Sequence, residues 1–231
     1  MKALKALLLL SIITLTSLKE EEEKPKNGIL GIDVSLYQGE IDWATVAQSG
    51  INFAIIRSTL GGGSLDEKFE QNYAGATANG LGVAVYHYSY AKTTEKAAWD
   101  ANNLIDKLAG RVVPIYLDLE WDEQGALGKE AVTNIAVTFV SNCQARGYEA
   151  NIYSNVNWYN NYYYPDRLRE MGCKFWRARY GPNTGEYDER YKPNLGEYIW
   201  QYTSVGRVNG IGTNVDLDMG YYEKDILILY Y

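Results

Sequence analysis

The sequence predicts an α/β chain folded as one irregular single-domain (β/α) barrel, with about eight strands and an incomplete helix ring, a (β/α)5(β)3-like arrangement. Three observations carry that expectation. Apolar residues repeat alternately with a strand period and a helix period from about Gly28 to Tyr153. Strands that alternate with helices imply parallel pairing through crossover connections. Beyond Tyr153 strand-like runs continue while the segments between them read as turn-rich rather than helical. A chain of 231 residues with 46% hydrophobic residues suits one such domain.

Taken in order, Leu30, Ile32 and Val34 share one strand face, and Gly31, Asp33 and Ser35 share the other. Asp42 reads as the cap of a short helix ending near Gln48, and Phe53 to Thr59 as the second strand. Gly61 to Gly63 makes a turn with no Lys-Ser/Thr continuation, so a phosphate cradle is not expected. Phe69, Tyr73 and Ala76 mark a helix stopped by Gly80. Leu81 to Tyr90 is a strand whose small Gly82 and Ala84 are in phase with Tyr86 and Tyr88, the pattern of a narrow barrel floor with an aromatic rim. Thr93 or Thr94 caps a helix carrying Ala97, Ala101, Leu104 and Leu108 on one face, and Val132, Ile135, Phe139 and Cys143 define another. Later strands are expected at Lys174–Tyr180, Tyr198–Thr203 and Val215–Met219.

The centre of the pattern is Val112 to Glu120. Val113, Ile115, Leu117 and Leu119 form an apolar face, so Asp118 and Glu120 point together from the other, roughly 7 Å apart along a strand. Barrels of this kind gather their chemistry at the C-terminal strand ends, where Asp33 also falls. If the barrel closes, the last strand lies beside the first and brings Asp216 and Asp218 to face Asp33. Arg57 either offsets part of this acidic mouth or simply ends its strand.

A net charge of −7 disfavours nucleic acid and anionic membrane surfaces as partners. The chain's 21 Tyr and 6 Trp suit stacking on sugars or filling a core equally well. One His and two Cys make a metal site improbable, and no cofactor is expected. His87 is out of phase with Tyr86 and Tyr88 and reads as a structural group facing the helices. Cys143 and Cys173 are compatible with a disulfide or with two buried thiols.

Residues 1–18 read as a secretory signal peptide, with Lys2 and Lys5 before the apolar run Ala6–Thr16. That run is too short to span a bilayer comfortably, so stable membrane insertion is not expected. Residues 19–27, with Glu20 to Glu23 in a row, form an acidic spacer expected to be disordered, and the barrel domain covers 28–231. The expectation is a secreted or cell-wall-facing monomer.

Four segments, GIDVSLYQGEIDW (31–43), YHYSYA (86–91), PIYLDLE (114–120) and WQYTSVGRVNGIGTNVDLD (200–218), together resemble the lysozymes of glycoside hydrolase family 25. The resemblance implies an irregular (β/α) barrel that hydrolyses the β-1,4 bond from N-acetylmuramic acid to N-acetylglucosamine, with peptidoglycan glycan strands as the partner. It also implies Asp33, Asp118, Glu120 and Asp216 as the catalytic acids. Among them Glu120, whose longer side chain reaches furthest from the strand end, is expected to be the general acid, with Asp118 stabilising positive charge or orienting the substrate's 2-acetamido group. Tyr86, Tyr153, Trp176 and Trp200 correspond to cleft aromatics, joined by Tyr88 of the predicted rim. Asp218 departs from the Asn common in the family and adds a negative charge near the site. A catalytically silent sugar-binding barrel, or a hydrolase of another amino-sugar polymer such as chitin, are the alternatives.

Overall fold

The computed structural model describes residues 28–221. The signal-like segment, the acidic spacer and the terminal run Ile226 to Tyr231 lie outside the described residues. Eight strands form a closed barrel in sequence order: β1 (Ile29–Val34), β2 (Phe53–Leu60), β3 (Gly82–Tyr88), β4 (Ile115–Asp118), β5 (Ala150–Asn155), β6 (Phe175–Ala178), β7 (Ile199–Gly206) and β8 (Val215–Gly220). Helices α1 (Trp43–Gln48), α2 (Phe69–Ala78) and α3 (Thr94–Leu108) follow the first three strands. The short α4 (Asp122–Gly125) and the long α5 (Lys129–Ala145) follow β4, and α6 (Val156–Asn161) and α7 (Pro165–Glu170) follow β5. No helix longer than a single 3-10 turn follows β6 or β7, which leaves the ring of helices open there.

Strands β1 to β7 pair in parallel, whereas β8 runs antiparallel to both β7 and β1. The C-terminal ends of seven strands therefore meet at one mouth, and β8 reaches that mouth with its N-terminal end. That reversal is why Asp216, near the start of β8, stands level with Asp33, near the end of β1.

The strand period sorts side chains into two apolar layers. Ile32, Val34, Ala54, Ile56, Val85, Ile115, Leu117 and Ile152 pack outward against the helices. Phe53, Ile55, Tyr86, Tyr116, Tyr153, Trp176 and Ile199 fill the barrel. At the floor the Phe53 ring lies so close to Gly31 that a Cβ there would fall 2.2 Å from it, so only glycine fits. Gly82 and Ala84 line the same narrow end beside Phe53 and Tyr116, as their phase with Tyr86 predicts.

The capping signals hold: Asp42 accepts from Thr45 N and Thr93 from Lys96 N at the starts of α1 and α3. The turn-rich reading after Tyr153 fails between β5 and β6, where α6 and α7 form. Asn155 caps α6 through Trp158 N at 3.0 Å, Pro165 opens α7, and Trp158, Tyr159 and Leu168 are buried. Three anchors on two six-residue helices are too few for a visible period, so the sequence concealed them.

Candidate active site

A cavity of about 220 Å³ opens at the C-terminal strand ends and is lined by Asp33, Asp118, Glu120 and Asp216. Each strand contributes through its phase. Ile115, Leu117 and Leu119 are buried under the helices, so Tyr116, Asp118 and Glu120 turn inward. Asp33 and Asp216 face each other across the β1/β8 seam. Tyr86, Tyr88, Tyr153 and Trp176 line the wall. Within it the Trp176 ring lies edge-on to Tyr86 and Tyr116, with centroids 6.0 and 5.6 Å away, and 4.2 Å from Tyr153.

Burial and mutual repulsion push these acids upward. The Asp33 carboxyl is raised well above its usual range by burial, then by Asp216 and Asp218. Asp118 is raised by burial and by the charge of Glu120, with Arg57 pulling the other way. Burial and the charge of Asp216 raise Glu120. Asp216 is pushed by burial to about 6, with a hydrogen bond from Asp33 opposing the shift.

The closed barrel agrees with a family comparison in which the model for "Glycosyl hydrolases family 25" matches residues 32–211. The chain belongs to glycosyl hydrolase family 25. Lysozyme M1 of Streptomyces globisporus is 29% identical over 209 residues, covering 82% of this chain and 67% of that protein. The autolytic lysozyme of Clostridium acetobutylicum is 29% identical over 194 residues, covering 81% and 54%. This chain thus spans roughly half to two thirds of the length of those relatives. A bacterial lysozyme structure from Streptomyces coelicolor superposes with a TM-score of 0.69 at 26% identity, covering 89% of this chain and 98% of its own. The spore cortex lytic enzyme SleM of Clostridium perfringens shares the fold, with a TM-score of 0.70 at 20% identity over 86% and 69% of the two chains.

As a family 25 member the chain is a glycoside hydrolase. Its barrel differs from the sequence reading at Trp200. That residue is buried on the outward face of β7, where its Nε1 donates to Arg179 O at 2.9 Å and its ring packs against Tyr187 and Tyr202. Gln201, one residue on, is the one that enters the cavity. Both faces of Ile199–Tyr202 carry large apolar side chains, so no alternation marked which face was inward.

Gln201 is a hub that sequence reasoning missed. Its Nε2 donates to Asp33 Oδ2 at 2.6 Å, and its Oε1 accepts from Tyr153 at 2.8 Å and Tyr180 at 2.6 Å. Ser35, Tyr37 and Gln38 also line the mouth from the turn after β1, where no periodic signal exists. Arg57 lines the cavity, its Nε donates to buried Asp66 at 2.7 Å, and its guanidinium lies over the Tyr37 ring. A register shift between Arg57 and Thr59 then turns Thr59 outward to His87.

His87 is structural, as its phase implies. Thr59 Oγ1 lies 2.8 Å from its Nδ1, and its ring stacks on Phe139 of α5 with centroids 5.6 Å apart. Cys143 and Cys173 are both buried and free, which decides the disulfide question in favour of thiols. No group of three or more His, Cys, Asp or Glu able to hold a metal occurs among the described residues, and no helix among them is long and apolar enough to cross a membrane.

Proposed function

We propose that this chain is a muramidase that hydrolyses the β-1,4 bond between N-acetylmuramic acid and N-acetylglucosamine in peptidoglycan. The observation that carries the proposal is the convergence of Asp33, Asp118, Glu120 and Asp216 on one cavity lined by aromatic rings. Relatives named as lysozymes support the substrate class.

Glycoside hydrolysis needs a proton for the leaving oxygen and negative charge against an oxocarbenium-like transition state. Glu120 supplies the proton in this reading. It is only partly buried at the mouth, and the charge of Asp216 helps it keep its proton. Asp118 supplies the charge in this reading: burial raises its carboxyl, but the charge of Glu120 raises it only while Glu120 is ionised, so a protonated Glu120 and the cation Arg57 both favour the Asp118 carboxylate. Its buried Oδ1 has no hydrogen-bond partner among the described residues, and is an acceptor for the N–H of a 2-acetamido group. Asp33 and Asp216 hold the proton network that orients Glu120.

Digestion of insoluble peptidoglycan, borohydride reduction of the fragments and mass spectrometry of the reduced ends test the proposal. Muramitol ends are expected. Glucosaminitol ends would mean the other glycosidic bond is cut, and wall binding without release would mean a sugar-binding barrel. Release from chitin oligomers in place of walls would shift the substrate. The lysine-led apolar start of the chain supports export, which detection of the protein in culture medium with residues 1–18 removed would test.

A further inference from the structure

Asp218 lies one layer below the acids at the mouth. On β8 it stands opposite Gly31 of β1 and Gln201 of β7, two residues after Asp216, which stands opposite Asp33. The strand period turns Asp216 and Asp218 to the same side, so Asp33, Asp216 and Asp218 form a stack of three carboxyl groups at the closing seam.

Asp218 is fully buried, and its Oδ1 accepts the indole N–H of Trp176 at 2.7 Å. Its Oδ2 is buried as well and receives no N–H from the described residues. The carboxyl next above it in the stack is that of Asp33, whose own Oδ2 is already occupied by Nε2 of Gln201, the register partner of Asp218 on β7. Two carboxyl groups can hydrogen-bond only if one of them carries a proton. Two bare charges buried side by side are strongly disfavoured, so a proton belongs between them.

We infer that Asp218 is a positioning residue that competes with Asp216 for the single proton of Asp33, and that these two acceptors together hold Asp33 neutral so that the negative charge of the Asp33–Asp216 pair stays on Asp216, beside Glu120. The inference rests on the muramidase reading of the site. Burial raises both Asp33 and Asp218 well above the usual carboxylate range, whereas Asp216 is raised only to about 6. The titratable groups facing Asp218 are Asp33 from β1, Tyr202 from β7 and Asp216 on its own strand, while β6 presents the uncharged Trp176. The cation Arg57 of β2 acts instead on Asp118 and Tyr86.

The test is Asp218→Asn. Its amide oxygen keeps the Trp176 bond, which points its N–H at Asp33, stabilises the Asp33 carboxylate and draws the charge away from Asp216. Glu120 then loses the charge that holds its proton. The alkaline limb of kcat/KM on cell walls is expected to move down by about one pH unit, with KM at the optimum unchanged. A profile superimposable on that of the unsubstituted enzyme, or activity lowered equally at every pH, would overturn the inference. If the unsubstituted enzyme releases nothing from walls, the muramidase reading fails instead, and a second measurement still decides this point. In a carbon-13 titration of labelled aspartates in the unsubstituted protein, one carboxyl of the Asp33–Asp218 pair should stay protonated through neutral pH. Titration of every aspartate near the ordinary value of about 3.9 would refute it.

Discussion

Asp33 and Asp216 are register partners on the two strands that close the barrel. Because β8 is antiparallel to β1, residues from the two ends of the domain, far apart in sequence, meet at the mouth. A one-residue slip at this seam would turn Asp216 out among the helices and Leu217 into the cavity. The site therefore depends on closure as much as on the identity of the acids.

Glu120→Gln should leave a folded protein whose muramidase activity falls by about 10²–10⁴-fold, the contribution of positioned acid catalysis. Circular dichroism and wall-clearing assays on the same preparation check this. Turnover within a few-fold of normal would remove Glu120 from its role.

Stability should carry the signature of Asp216. Its carboxyl sits at about 6 in the folded chain and near 3.9 when unfolded. Between those values the unfolded chain has released a proton that the folded chain still holds, so this group's contribution to stability falls as pH rises from about 4 to about 6 and is constant above. The loss is at most about 3 kcal/mol. Denaturant titrations of Asp216→Asn should show the variant gaining on the unsubstituted protein across that window; a constant difference from about pH 4 to 7 would contradict the assignment.

Arg57→Met should act twice. It strands Asp66, which is buried and among the described residues otherwise receives only the backbone N–H groups of Leu36 and Lys68, and breaking such a pair typically costs about 3–5 kcal/mol. It also removes the cation that favours ionised Asp118. Activity should therefore decline most at acid pH, where the Asp118 charge is hardest to maintain. A variant that is destabilised but keeps its pH profile would confine Arg57 to a structural role.

The two tryptophans should separate cleanly. Trp176→Phe removes the donor to buried Asp218, which should cost about 1–3 kcal/mol and lower kcat. Trp200→Phe loses only the bond to Arg179 O on the outer face, so it should reduce stability and leave KM unchanged. A raised KM for Trp200→Phe would restore that residue to the cleft.

By itself the sequence determined the barrel, the inward phase of Asp33, Asp118, Glu120 and Asp216, and the outward turn of His87. Each lies on a strand with one clearly apolar face or, for Glu120, on the extended continuation of β4, and a period of two leaves no freedom about direction once that face is known. The sequence could not place Trp200 because both faces of β7 are bulky, nor see α6 and α7 because six-residue helices with few buried anchors show no period. Only the tertiary structure decided that Gln201 joins Asp33 to Tyr153 and Tyr180, that Arg57 enters the cavity while holding Asp66, and that Asp218 lies beneath Asp33 instead of at the rim. These are relations between strands, and they exist only once closure fixes the register between β1, β7 and β8.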